Sequence, residues 1–166
     1  MIRQAKKEDI PRILEIYAKA KDFMCKTGNP TQWNGSYPDE AVLLMDIQKQ
    51  HLFVMEDSKN LYACFALIGG NDPTYDYIEG GRWSSNSPYG TIHRIAGDGT
   101  KKGILEECVQ FARLKYQYLR IDTHEDNKPM QGAILKNSFS YRGIIYLSNG
   151  SPRLAYDWIE KEDKSL

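Results

Sequence analysis

Residues 92–114 read IHRIAGDGTKKGILEECVQFARL, and the fold turns on how that stretch is divided. Ile92 to Ala96 form an apolar, strand-like run. Cys108, Phe111, Ala112 and Leu114 then recur on one side of a helix-like run, with Ile104 and Leu105 at its start. Between the two lie Gly97, Gly99 and Gly103. Glycines reach backbone conformations that other residues avoid, and they let a main chain approach a ligand closely. A strand, such a turn and a helix start aim several backbone N–H groups at one spot, the arrangement that binds phosphate or diphosphate. Lys101 and Lys102 stand where the helix should begin, and a helix N-terminus disfavours cations. A bound anion would turn that misfit into a clamp, while Glu106 and Glu107 suit the helix dipole. The competing reading of the same residues is a plain strand-to-helix connection whose lysines point to water. Two better-known phosphate loops do not fit. GDGTKKGI lacks a Gly-Lys-Ser/Thr ending, and Gly103 follows Gly99 by four residues rather than the three of G-x-G-x-x-G.

Working outward, MIRQA is a short strand candidate, and 8–28 reads as a helix with Ile10, Ile13, Leu14, Tyr17, Ala20 and Met24 at helical spacing. Pro11 falls near its start and Gly28 at its stop. Residues 39–50 predict a second helix with Asp39 as N-cap. HLFVMED and LYACFALIGG are strands joined at SKN, a hairpin signal. Residues 70–88 form the longest irregular stretch, rich in turn residues and aromatics, and a loop of that length is often functional. After the strand near 89–96 and the helix near 103–116 come a strand at YLRIDTH and a short helix with Asn127 as cap and Pro129 in its first turn. YRGIIYL and RLAYDWIE close the chain as a hairpin. The order β-α-α-β-β-β-α-β-α-β-β predicts an α/β fold, one mixed sheet with helices on its faces. The unit at 89–123 is expected to be a right-handed crossover between parallel strands.

The bulk properties narrow the class. The chain has 166 residues, which suggests one domain spanning 1–166. Lys+Arg and Asp+Glu number 22 each, so there is no basic excess of the kind a general nucleic-acid binder needs. A small anionic ligand needs only a local positive field. Cys25, Cys64 and Cys108 match no zinc spacing; Cys64 and Cys108 lie in apolar patterns and read as buried thiols, which favours a reducing compartment. The N-terminus has no long apolar segment, so neither a leader nor a membrane span is expected, and the default location is cytoplasmic. Asp122 and His124 fall on one strand face, but no second histidine or cysteine pair joins them, so no metal is expected.

With these elements in hand, IHRIAGDGTKKGILEECVQFA resembles the coenzyme-A-binding segment of the GNAT N-acetyltransferase family, a bulged strand leading into Arg/Gln-x-x-Gly-x-Gly/Ala and a helix. MIRQAKKEDIPRILEIY is similar to the family's first strand and helix, IDTHEDNKPMQGAILKNSF to its later strand and helix, and IIYL…RLAYDWIE to its closing hairpin. The loop is shorter than the usual V-x-P-x-x-R-G-x-G-I. Gly97 stands at the usual Val, Gly103 alone remains of the terminal glycine pair, and Ser138 replaces the Gly before Phe139. Ile134 occupies the place where many members carry the tyrosine that protonates the departing thiolate.

The resemblance implies a mostly antiparallel mixed sheet with splayed fourth and fifth strands. It also implies acetyl transfer from acetyl-CoA to a primary amine by direct attack in a ternary complex, without a metal. The alternative is a non-catalytic GNAT-like domain that binds acyl-CoA. It implies coenzyme contacts at Arg94, Ile95, Ala96, Gly97, Asp98, Gly99, Thr100, Lys101, Lys102, Gly103 and Ile104, with Asn127 and Lys136 beyond. The amine must lose a proton, for which His93 is the first candidate and Glu79 and Asp122 are others. Tyr141, with Tyr146 and Tyr156, is a candidate for the missing acid. Trp33, Tyr37 and Trp83 are candidates for the acceptor pocket, because loop aromatics often line one. The expected partner is a small-molecule or peptide amine, with no nucleic acid and no membrane, and a homodimer is compatible with this reading.

Overall fold

The computed structural model describes residues 1–58 and 60–161. Its elements are β1 (Ile2–Gln4), α1 (Ile10–Lys26), α2 (Glu40–Gln48), β2 (Leu52–Asp57), β3 (Asn60–Gly69), β4 (Gly90–Gly97), α3 (Ile104–Arg113), β5 (Tyr118–Thr123), α4 (Lys128–Lys136), β6 (Ser140–Tyr146) and β7 (Pro152–Ile159). Their order is the one the sequence pattern predicts. The strands join in one seven-stranded sheet in the order β1-β2-β3-β4-β5-β7-β6. β4 and β5 run parallel, and the other neighbours run antiparallel. β2 and β3 pair up to Asp57 and Asn60; Lys59, in the predicted turn SKN, lies outside the described residues.

Alternation along the strands sends side chains to two faces. On one face Phe53, Met55, Phe65, Leu67, Ile92, Leu119 and Ile121 pack against Leu105, Cys108, Val109 and Ala112 of α3 and Ile134 of α4. On the other, Leu52, Val54, Leu61 and Cys64 meet Ile10, Ile13, Ile16 and Tyr17 of α1 and Leu43 of α2. The helices start where local chemistry permits: Pro11 opens α1, and the Asp39 carboxylate accepts from the Val42 N–H of α2 at 3.1 Å. Cys64 and Cys108 are fully buried, and burial pushes the Cys64 thiol up to about 12. Among the described residues no helix is long and apolar enough to cross a membrane.

The stretch that reads as irregular from sequence is a folded cover. Residues 70–89 lie on the α1 and α2 side of the sheet, over β5, β7 and β6, where Tyr75 and Tyr89 pack with Tyr118, Ile145 and Ala155. A 3-10 turn at Pro73–Tyr75 opens the segment, with the Asp72 side chain accepting from the Thr74 N–H. The segment ends its crossing at the sheet edge, where Glu79 and Ile144 exchange two backbone hydrogen bonds of 2.8 Å. Gly81 permits that approach, since a Cβ there would lie 1.9 Å from the Arg142 carbonyl oxygen. Under this cover Arg120 is 5% exposed, and its guanidinium lies 4.1 and 4.0 Å from the ring centroids of Trp83 and Tyr89.

Candidate active site

The site begins with a defect in β4. Ala66 of β3 stands opposite His93 and Cys64 opposite Ala96, so one residue of β3 faces two of β4. This is a bulge at Arg94–Ile95, and Arg94 has a φ of 50°, the left-handed region that costs an L-residue about 1–2 kcal/mol. Contacts from α1, α2 and their connection hold it. The Tyr17 hydroxyl donates to the Arg94 carbonyl at 2.8 Å, Arg94 Nη2 donates to the buried Asp46 of α2 at 2.6 Å, and Nη1 donates to the Tyr37 hydroxyl at 3.2 Å. Burial, then the neighbouring Cys64, pushes the Tyr17 hydroxyl well above its ordinary range and keeps it a donor.

Past the bulge the sheet divides. β4 pairs with β5 at Gly90, Thr91 and Ile92 only, and beyond Ile92 the two strands part. A cleft of about 600 Å³ opens there. Its walls include Ile92 to Ile95 of β4, Ile121 to Thr123 of β5, Asn127 and Met130 of α4, Trp33 and Tyr37 from the α1–α2 connection, Asp72 and Thr74 from the 70–89 cover, and Arg153 of β7.

Two carboxylates face the cleft from different elements. Asp72 Oδ2 lies 3.1 Å from His93 Nε2, and its other oxygen accepts from the Thr74 N–H and hydroxyl. Burial alone would raise the Asp72 carboxyl, but the bonds from His93 and Thr74 outweigh it and hold the group at about 2. An ionised Asp72 at Nε2 fixes the imidazole with its proton on that nitrogen. Nδ1, which has no partner among the described residues, is then left as the basic atom. Asp122 accepts at 2.5 Å from the hydroxyl of Tyr75, which burial, then the Asp122 charge, keeps protonated.

The glycine turn borders the same splayed half of β4. Gly99 and Gly103 have φ of +87° and +76°, and a Cβ at Gly99 would meet nothing within 4 Å. Among the described residues α3 has no side-chain cap, whereas α2 and α4 are capped by Asp39 and Asn127. The amides from Lys101 to Leu105 have no hydrogen-bond partner among the described residues. Lys101 reaches away, to Asp57 at 2.7 Å and to a position 4.4 Å from the centre of the Tyr62 ring. Those contacts, together with Glu106 and Glu107 in the first turn, offset the unfavourable cations. The Asp98 carboxylate is taken up by Arg12 at 2.7 Å and by the Thr100 N–H and hydroxyl.

No protein-family model matches this sequence, and no curated protein does. Solved structures do. A GNAT-family acetyltransferase from Streptococcus agalactiae 2603 is 30% identical over 98% of this chain and 96% of its own, with a TM-score of 0.86. The chain belongs to the GNAT acetyltransferase family. An N-acetyltransferase from Staphylococcus aureus Mu50 (24% identity, 97% and 98% covered, TM-score 0.62) has the same fold. So does the ribosomal-protein-S18-alanine N-acetyltransferase from Escherichia coli (13%, 100% and 97%, TM-score 0.63).

In this GNAT chain the structure brings His93, Arg94, Ile95, Asp122, Asn127, Trp33 and Tyr37 to one cleft. Ala96 is buried in the core, and Gly97 leads into the turn. Other sequence candidates lie elsewhere. Glu79 is at the sheet edge, where its carboxylate accepts from the Tyr146 hydroxyl. Tyr141 is on edge strand β6, half exposed and edge-on to Tyr156. Trp83 covers Arg120 and donates to the Tyr75 carbonyl. Lys136 is exposed in the last turn of α4. Ile134 is completely buried, so that helix position offers no acid. Asn127 is committed to two bonds, capping Met130 and donating to Gln32 Oε1 at 2.9 Å.

Asp72, Thr74, Gln32 and Arg153 are cleft residues that the sequence reading does not single out. For Asp72 a signal existed: Asp followed by Pro at the head of a turn is a cap pattern. Arg153 reaches the cleft only because β7 inserts between β5 and β6, which no local pattern records.

Proposed function

We propose that this GNAT chain transfers the acetyl group of acetyl-CoA to a primary amine by direct attack, both substrates being bound together in the cleft where β4 leaves β5. The observation that carries the reading is the conjunction at that place of a splayed strand pair and an uncapped α3 N-terminus. The chain's residues fit the coenzyme. The unpartnered amides of Lys101 to Leu105 suit a diphosphate, aided by the exposed Lys102. The edge of β4 beyond Ile92, where the pairing with β5 stops, suits an extended amide-bearing arm. When bound, the coenzyme supplies a thioester acetyl group and a thiol as leaving group.

The protein's part is to position groups and to move protons. A main-chain N–H at the bulge, near Ile95, is the donor for negative charge developing on the acetyl oxygen; one such donor is worth about 3 kcal/mol of barrier. The amine arrives largely as ammonium, since its ordinary pKa is about 10.4. His93 Nδ1, held by Asp72, takes its proton. Once deprotonated, the nitrogen forms its bond to the acetyl carbon, and the carbon–sulfur bond breaks with its electron pair going to sulfur. Among the described residues Tyr37 is the one tyrosine that lines the cleft, and we assign it the proton donated to that sulfur.

Calorimetry with coenzyme A and acetyl-CoA, followed by thiol release with a panel of amines, tests the reading. Saturable coenzyme binding and amine-dependent thiol release are expected. Absence of coenzyme binding would overturn the proposal. Tyr37→Phe is expected to lower turnover while sparing coenzyme affinity; full turnover would remove it from the donor role.

A further inference from the structure

The chain has two arginines on the same sheet face that are each 5% exposed, Arg120 and Arg153. A buried guanidinium needs compensation, because taking a charge out of water is costly unless it is paired. Arg120 has it, with Trp83, Tyr89 and Tyr118 around its charge at 4.1, 4.0 and 5.2 Å. Elsewhere Arg94 meets Asp46, and Arg142 meets Asp157. Arg153 has neither a ring nor a carboxylate within salt-bridge distance among the described residues. It donates to neutral oxygens: Nη1 to Ser151 Oγ at 2.6 Å and to the Pro152 carbonyl at 2.8 Å, and Nη2 to the Gln32 carbonyl at 3.1 Å. Its Nε–H and the second N–H of Nη2 have no partner among the described residues. Burial weakens the hold of Arg153 on its proton, while the charge of Asp122 acts the other way. Asp122 itself is bonded to Tyr75.

Arg153 also lines the cleft. Strand register fixes its place there. Asp122 is directly opposite Ala155, so Arg153, two residues along β7, lies diagonally beside it on the same face. His93 occupies that face on β4. The three strands lie side by side in the order β4, β5, β7, so His93, Asp122 and Arg153 run in a row across the floor of the cleft. The backbones of β4 and β7 are two strand spacings apart, about 10 Å, and both side chains reach into the cleft between them.

We propose that Arg153 is the anchor for an anionic group of the acceptor, so that the substrate class is an amine carrying a carboxylate or phosphonate within about 10 Å of the reacting nitrogen. This rests on the acetyl-transfer reading and narrows it. In the row, His93 and the carboxylates of Asp72 and Asp122 receive the ammonium end, and Arg153 receives the anion through its unpartnered N–H groups. A polyamine or an uncharged amine leaves the guanidinium without its counter-charge.

The test compares 4-aminobutyrate, L-glutamate, glycylglycine and 2-aminoethylphosphonate with the carboxamides of the first three and with ethanolamine. Binding is read by calorimetry on the protein with and without coenzyme A, and transfer by thiol release. At least one anionic amine is expected to bind about 10- to 100-fold more tightly than its uncharged counterpart, the value of a charge-assisted hydrogen bond. Arg153→Met is expected to bring that ratio near one, and Arg153→Lys to keep part of it. Equal binding of every pair by the wild-type protein would overturn the assignment without use of a variant, and so would an unchanged ratio in a folded Arg153→Met protein. Preferential binding without any thiol release would sink the acetyl transfer and leave the anion site standing. Thiol release without preference would do the reverse.

Discussion

Strand β4 is two different objects joined at Ile92. Its first half, Gly90 to Ile92, has β3 on one side and β5 on the other, and Ile92 is 1% exposed. Its second half, His93 to Gly97, keeps β3 but leaves β5 and carries the bulge. The first half serves stability, because strands flank it on both sides and Gly90, Thr91 and Ile92 are all buried. The second half has chemistry to offer because those neighbours are withdrawn. The strain at Arg94 is sustained by α1, α2 and their connection, which do not themselves belong to the sheet.

Substitutions in the two halves should therefore fail in opposite ways. The largest effect is expected at His93→Ala, a loss of about 10²- to 10⁴-fold in turnover with little change in thermal midpoint or coenzyme affinity. Thiol release and calorimetry check it, and full activity would remove His93 from the base role. Ile92→Ala, its neighbour in the paired half, should lower stability by about 2–5 kcal/mol in urea unfolding. The folded fraction should keep its coenzyme affinity; a specific loss of turnover at full stability would break the contrast.

Acidification comes next. Asp72 is held at about 2 against an ordinary 3.8, so its bonds stabilise the native state above about pH 4, and that contribution fades as pH falls towards 2. It amounts to about 2 kcal/mol, and Asp72→Asn should flatten the stability curve over that window. The smallest change is expected at Gly103→Val. A β-branched residue at φ +76° adds about 1–2 kcal/mol of strain and crowds the uncapped end of α3. Coenzyme affinity should fall about tenfold; an unchanged value would mean that the diphosphate does not use these amides.

Much of this was legible in the residues. Ile10, Ile13 and Tyr17 at helical spacing, and the Cys108–Ala112 stripe, declare their buried faces directly. The caps Asp39 and Asn127 act through amides three residues away, so sequence position alone reveals them. His93 was visible as a titratable group beside the glycine turn. Its partner Asp72 was harder to see, because 21 residues of chain separate the two and a folded cover brings them together. Glu79, Tyr141 and Trp83 lie outside the cleft, since the cover carries Glu79 and Trp83 past it and β6 is an edge strand.

The sequence alone determined the elements, their order and the turn before α3, and it carried the resemblance that the comparison with solved structures turned into family membership. Periodicity, caps and glycine conformations are local properties, set within a few residues along the chain. Which groups share the cleft was decided by tertiary structure. The parting of β4 from β5, the insertion of β7 beside β5 and the placement of Arg153 in the cleft depend on strand order and on distant contacts. No window of neighbouring residues contains that information.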